Sequence, residues 1–225
     1  MIELIKQRRA VAIEDRIRAL VAKEGATPLK HAVRDVTVGI VVAPANWYVE
    51  RGVPAVRGIN VSPGRIDIKD CIFLSDEGHR INRKSTIRTG DVLVVRTGQA
   101  GAAAVVPPEL DGANCIDVLL IRPSISMSAH FIEYVINSDW TVKYIAQHSV
   151  GTIQAHFNVG ALRELPVPVP PIASQHRLVE ALDAACGRAD KTLLALTSQI
   201  ALLVERRQAL ITAAVTGELD SPGAA

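Results

Sequence analysis

Three zones of the chain differ in how their apolar residues are spaced. In Met1–Glu24 they fall at Ile2, Ile5, Ala12, Ile13, Ile17, Leu20 and Val21, close to helical spacing, and Gly25 and Pro28 end the run. The zone predicts a short amphipathic helix with a charged outer face.

The second zone, 29–165, alternates short apolar runs with turn residues. VTVGIVV, PAVRGINVSPG, DIKDCIFLS, TGDVLVVRTGQAG, AAAVVPP and CIDVLLIRP are rich in Val and Ile and are separated by Gly, Pro, Asn and Asp. Runs of this kind read as strands. After Pro123 the spacing changes: Phe131, Ile132, Val135, Ile136, Val142 and Ile145 suit one or two helices. A polar loop, a short apolar segment and a proline run that cannot lie inside a helix close the zone.

The third zone, 173–217, follows Pro170 and Pro171, with Ser174 as the expected N-cap. With heptad position a at Cys186, Leu193, Ile200, Arg207 and Ala214, position d falls on Leu182, Ala189, Leu196, Leu203 and Leu210, all apolar. That is a coiled-coil seam. A helix of this length spans roughly 60 Å, too long for one domain to cover, so it needs a partner helix. Arg207 in the seam costs stability locally and suits setting register or meeting a carboxylate. The expected pairing residues are Leu182, Ala189, Leu193, Leu196, Ile200, Leu203, Arg207 and Leu210. The helical zones also resemble each other: Ile5-Lys6-Gln7-Arg8-Arg9, Ile13 and Ile17 align with Leu203-Val204-Glu205-Arg206-Arg207, Ile211 and Val215. The reading is therefore an α+β fold: an N-terminal helix (1–26), a strand-rich domain (27–170) and a long coiled-coil-forming helix (171–220).

Composition bounds the function without choosing it. In 225 residues, 48% are hydrophobic and 21% charged, which fits a folded chain and not a disordered one. The net charge of +2 neither requires nor excludes nucleic acid. Cys71, Cys115 and Cys186 make no zinc spacing and no disulfide framework, which suggests a reducing compartment. The charged N-terminus and the lack of a long apolar run point to a cytoplasmic protein away from membranes.

Catalytic chemistry finds no constellation. The histidines at 31, 79, 130, 148, 156 and 176 are scattered, with no pair spaced for a metal. Asp67, Asp70, Asp76 and Glu77 have no partner base. The glycines of RTGQAG do not form a dinucleotide fingerprint, and neither a nucleophile elbow nor a Walker pattern is present. No metal ligand and no catalytic residue is expected.

The segment Leu165–Gln175, LPVPVPPIASQ, leads into a long helix closing with ERRQALITAAVTGELD. This strongly resembles the conserved region of type I restriction–modification specificity subunits. Arg207, Leu210, Ile211, Val215, Thr216 and Gly217 match the closing pattern, and Gln175 is retained, while Ser174 stands where the family usually has glutamate. GDVLVVRTGQAGAAAVVP, VPAVRGINVSPGRI and GTIQAHFNVGALRELPVPVPP resemble further family segments, in order. The resemblance covers about residues 50–220.

The resemblance implies a target recognition domain that reads half of a split double-stranded DNA target, and paired helices that hold two such domains apart. It implies a half-length subunit, its N-terminal helix the remnant of a preceding helical region, pairing as a homodimer or with another half. It implies a non-catalytic role, with S-adenosylmethionine on a partner methyltransferase subunit and possible addition of a restriction (motor nuclease) subunit. The methyltransferase tetrapeptide of the N-P-P-Y/F type is absent from this chain.

Reading bases requires donors and acceptors in a groove, beside cations on phosphates. Candidates are His79, Arg80, Asn82, Arg83 and Lys84 of HRINRKSTIR; Arg96, Thr97 and Gln99 of RTGQAG; Thr152, Gln154, His156 and Asn158 of HSVGTIQAHFN; and Arg57 with Asn60. Each segment reads equally as an ordinary surface loop, and the whole chain reads alternatively as an assembly or anti-restriction half-subunit that dimerises or binds the methyltransferase without reading DNA.

Overall fold

The computed structural model describes residues 2–148 and 157–217, with the side chains of 2–10, 148, 189, 190 and 193 left aside. Two compact units form: Ala10–Ala181, and Met1–Arg9 with Leu182–Ala225. The division falls inside both long helices, α1 (Ile2–Glu24) and the C-terminal helix (Ile172–Thr216).

Helix α1 stops where Gly25 takes a left-handed φ of 78° and its N–H reaches Val21 O at 2.9 Å, a glycine termination. Then come β1 (Thr27–Pro28), α2 (Leu29–Ala32), β2 (Asp35–Val38), β3 (Tyr48–Val49), β4 (Val53–Arg57), β5 (Val61–Ser62), β6 (Arg65–Ile66) and β7 (Ile72–Leu74). Helix α3 (Asp76–Ile81) precedes β8 (Val92–Val95), β9 (Ala103–Val105), β10 (Asn114–Ile116) and β11 (Val118–Arg122). The chain continues through α4 (Ala129–Ile136), α5 (Asp139–His148), α6 (Val159–Glu164), β12 (Pro166–Val167) and α7 (Ile172–Thr216). The mixed fold, strand-rich in its body and ending in one long helix, is the one the apolar spacing predicts.

The runs VLVV and VLLI make the two central strands of an antiparallel sheet ordered β2-β11-β8-β9. Side chains alternate across a strand, so these unbroken apolar runs must be covered on both faces. Val92, Val94, Leu119 and Ile121 pack with Phe131, Ile132, Val135 and Ile136 of α4 and with Phe157. Leu93, Val95, Val118 and Leu120 join Val56, Val61 and Cys115 on the other side. Each such side chain contributes roughly 1.5–3 kcal/mol of burial. A second sheet, β10-β4-β7-β3, pairs β10 parallel to β4 with Cys115 opposite Val56. The sheets approach where Ile40 bridges Ile116, and the backbone of Gly39 runs so close to the Cys115 carbonyl that no Cβ fits there.

Ala10–Ala181 includes the ends of both long helices. Ile17 of α1 is buried in the core, and Glu14 accepts from Trp140 N–H (2.9 Å) at the start of α5 and from Arg18 Nε (2.6 Å). At the start of α7, Gln175 is fully buried. Its Oε1 accepts from Ser128 N (2.8 Å), and its Nε2 donates to Ser126 O (2.7 Å) and Pro170 O (2.8 Å). Here the structure corrects the sequence: α7 begins at Ile172, and Ser174 lies within its first turn, its N–H bonded to Pro171 O at 2.8 Å. Two prolines fix the approach, and no side-chain cap at Ser174 is required.

In the unit with Leu182–Ala225, Leu182 is buried, Leu196 half-buried, and Ile200, Leu203, Arg207 and Leu210 are exposed. Ile200, Leu203 and Leu210 are 51%, 63% and 48% exposed, so over this stretch the apolar seam is largely uncovered among the described residues. The side chains of Ala189 and Leu193 lie outside the described residues.

Candidate nucleic-acid interface

The densest cationic segment is built as a short helix and a turn. Ser75 Oγ accepts from Gly78 N (3.1 Å), which starts α3. Asn82 ends the helix and its Nδ2 donates to Gly78 O at 2.8 Å. Arg83–Ser85 then form a 3-10 turn. Beneath lies Asn114, fully buried on β10. Its Nδ2 donates to Ser85 Oγ (2.8 Å), and its Oδ1 sits 2.5 Å from His79 Nδ1. Arg122 adds bonds from Nη2 to Thr86 O (3.1 Å) and Lys84 O (3.4 Å). This support leaves Arg80, Arg83 and Lys84 exposed, while His79 and Asn82 stay half-buried. Residues 80–85 and 38–40 together line a cleft of about 450 Å³.

The remaining described candidates gather elsewhere. Arg57 ends β4 and lies opposite Ile116 of β10. Its Nη2 donates to Asp70 O (3.1 Å), and its Nε is buried with no hydrogen-bond partner. Arg96 follows β8 and pairs with Asp117 at 2.5 Å. Phe157 N–H donates to Arg96 O at 2.9 Å, which brings Asn158 to the same end. Thr97 and Gln99 are exposed on the hairpin. Asn60 and Asn158 hold backbone together: buried Asn60 accepts from Arg57 N (2.9 Å) and donates to Asp67 O (3.1 Å), and Asn158 caps α6 by accepting from Ala161 N (2.8 Å). Thr152, Gln154 and His156 lie outside the described residues.

The candidates thus form two groups. One is tied to Asp117, just before β11; the other is tied to Asn114, which opens β10, and to Arg122, which ends β11. From Val118 to Arg122 the strand rises roughly 13 Å. Sequence reasoning missed Asn114 and Ser85, since nothing local marks a buried amide 35 residues from the histidine it holds.

Local electrostatics follow burial. Asp91, under this surface, has its carboxyl raised above the ordinary range by burial, partly offset by the N–H of Arg88 at 2.9 Å and by Arg122. Burial pushes the Cys115 thiol up to about 12 and raises the half-buried Cys71 as well. Among the described residues, no three His, Cys, Asp or Glu side chains converge to hold a metal, and no helix is long and apolar enough to cross a membrane.

No protein-family model matches the chain. It is similar to the specificity subunits of the type I restriction enzymes EcoKI (Escherichia coli K12; 26% identity over 184 residues, 77% of this chain), StySPI (Salmonella potsdam; 25% over 185 residues, 78%) and EcoBI (Escherichia coli; 22% over 174 residues, 77%). The chain spans only 37–38% of the length of these relatives. Among solved structures, a type I restriction–modification assembly superposes with a TM-score of 0.66 at 20% identity, over 97% of this chain and 56% of that one. The HsdS subunit of Thermoanaerobacter tengcongensis gives 0.58 at 19% identity, over 89% and 50%. Over about three quarters of its length the chain is similar in sequence to the type I restriction-enzyme specificity subunits, and it shares the fold of the solved HsdS subunit.

Proposed function

We propose that the chain is a DNA-specificity module that reads one half of a split duplex target and carries no catalytic machinery of its own. The observation that supports this most is the trio Arg80, Arg83 and Lys84, exposed on a helix end and turn that Asn82, Asn114 and Arg122 hold from beneath. Cations held at fixed positions suit phosphates, and guanidinium groups suit guanine O6 and N7. The hairpin with Thr97 and Gln99 is a second contact point toward the same duplex.

The exposed Ile200, Leu203 and Leu210 of α7 take a partner helix, from a second copy or from another half-subunit, and so place two recognition domains at a set distance. The methyltransferase subunit, with its S-adenosylmethionine, docks on that scaffold, and a restriction subunit joins it.

The test is a selection of bound duplexes from a random pool, followed by titration across salt concentrations. Lys84→Ala is expected to weaken binding to all sequences alike, lowering the slope of log affinity against log salt by about 0.9, and Arg80→Ala is expected to weaken binding and relax a guanine preference at one position. A selection that enriches no sequence, with no salt-dependent binding to any duplex, would favour a module that assembles without reading DNA.

A further inference from the structure

The hydrogen bonds around His79 fix which of its ring nitrogens carries the proton. The Asn82 backbone carbonyl can only accept. Ser85 Oγ lies 2.7 Å from it and therefore donates its hydrogen there. That leaves a lone pair on Ser85 Oγ, which accepts from the Asn114 amide 2.8 Å away. The same amide also faces the Asn82 carbonyl at 3.3 Å, so the atom on that side must be Nδ2. Asn114 Oδ1 then faces His79 at 2.5 Å and is an acceptor, so neutral His79 must donate from Nδ1. Its Nε2 is left as a lone-pair acceptor on a half-buried ring, next to exposed Arg80 and one turn from Arg83.

We infer that His79 is a specificity-determining residue that offers Nε2 as an acceptor to a base amine. In the major groove the amines are adenine N6 and cytosine N4, whereas guanine O6 and N7 and thymine O4 are acceptors that a lone pair repels. Neighbouring Arg80 and Arg83 carry only donors, so His79 supplies the complementary chemistry that they lack. Asn114, Ser85 and Asn82 are positioning residues: they touch no base and hold the tautomer. This inference rests on the chain reading DNA, but the proton's position can be measured without DNA.

The first experiment is a long-range proton–nitrogen spectrum of the full chain with labelled histidine, recorded in alkaline buffer. The expected result is a proton on Nδ1 and a pyridine-like Nε2 at His79; the opposite tautomer overturns the inference even if DNA binding proves real. The second is His79→Asn, whose short amide can still donate to Asn114 Oδ1 but has nothing in place of Nε2. In a selection from random duplexes, the variant should keep its melting temperature and its salt slope while losing roughly five- to tenfold preference at a single base pair that presents an amine. An unchanged preference profile, with binding otherwise intact, would overturn it. If the unmodified chain shows no salt-dependent binding to any duplex, the inference falls together with the DNA-reading function, and the spectrum then reports on the hydrogen-bond chain alone.

Discussion

Two stretches of apolar helix in this chain meet opposite fates. Helix α4 presents Phe131, Ile132, Val135 and Ile136 to the central sheet, and each is at most 1% exposed. The distal part of α7 presents Ile200, Leu203 and Leu210 along its heptad seam, and these are about half exposed or more. Both named sets are large apolar side chains. The difference is the opposing surface: α4 meets one of strands, while this stretch of α7 is left largely uncovered among the described residues. Burial against one's own sheet stabilises the fold, and an uncovered heptad seam is the surface that the proposed pairing would use.

The sharpest contrast between them comes from truncation. Phe131→Ala is expected to lower unfolding free energy by about 3–5 kcal/mol, because transfer and cavity costs add. Denaturant unfolding measures it, and a loss under about 1 kcal/mol would mean that the face of α4 is no core. The junction between the two kinds of helix comes next. Gln175→Ala should cost roughly 1–3 kcal/mol, since Ser128 N, Ser126 O and Pro170 O all lose their partner. Loss of amide protection at the start of α7 is the measurement. On the exposed side, Leu203→Glu should leave the unfolding of the dilute chain within about 0.5 kcal/mol while reducing its mass in solution from a paired species to a single chain. A mass unchanged by the substitution would break the comparison.

The smallest effect is one of pH. Burial raises the Asp91 carboxyl, so the folded state holds its proton more tightly than the unfolded state does. Stability contributed by this group is therefore highest below the ordinary carboxylate range. It falls as pH rises from that range through the raised value. Asp91→Asn should flatten the dependence over that window, as read by thermal melts across pH; an unchanged slope would mean that another group sets it.

Much of the architecture is legible in the order of residue types. VLVV and VLLI are unbroken apolar runs, and a sheet covered on both faces is the arrangement that uses them. Pro170 and Pro171 mark where α7 can begin, although the side chain expected to cap it, Ser174, is already inside the helix. The site was legible as segments and not as an assembly. HRINRKSTIR reads as a basic cluster, but the amide that orients His79 comes from Asn114 on another strand. Asn60 and Asn158 carry the right chemistry for reading bases, yet their side chains hold a turn and a helix start.

The sequence by itself determined the strand-rich body, the long C-terminal helix, which faces are apolar and where the cations concentrate, because these follow from periodicity and local residue type; the short helix α3, in a segment that reads as a loop, was not among them. Only the tertiary structure decided which polar side chains remain available. Hydrogen-bond partners of buried amides are set by long-range packing, and a single carbonyl, that of Asn82, dictates the proton on a ring three residues before it through a side chain 32 residues away.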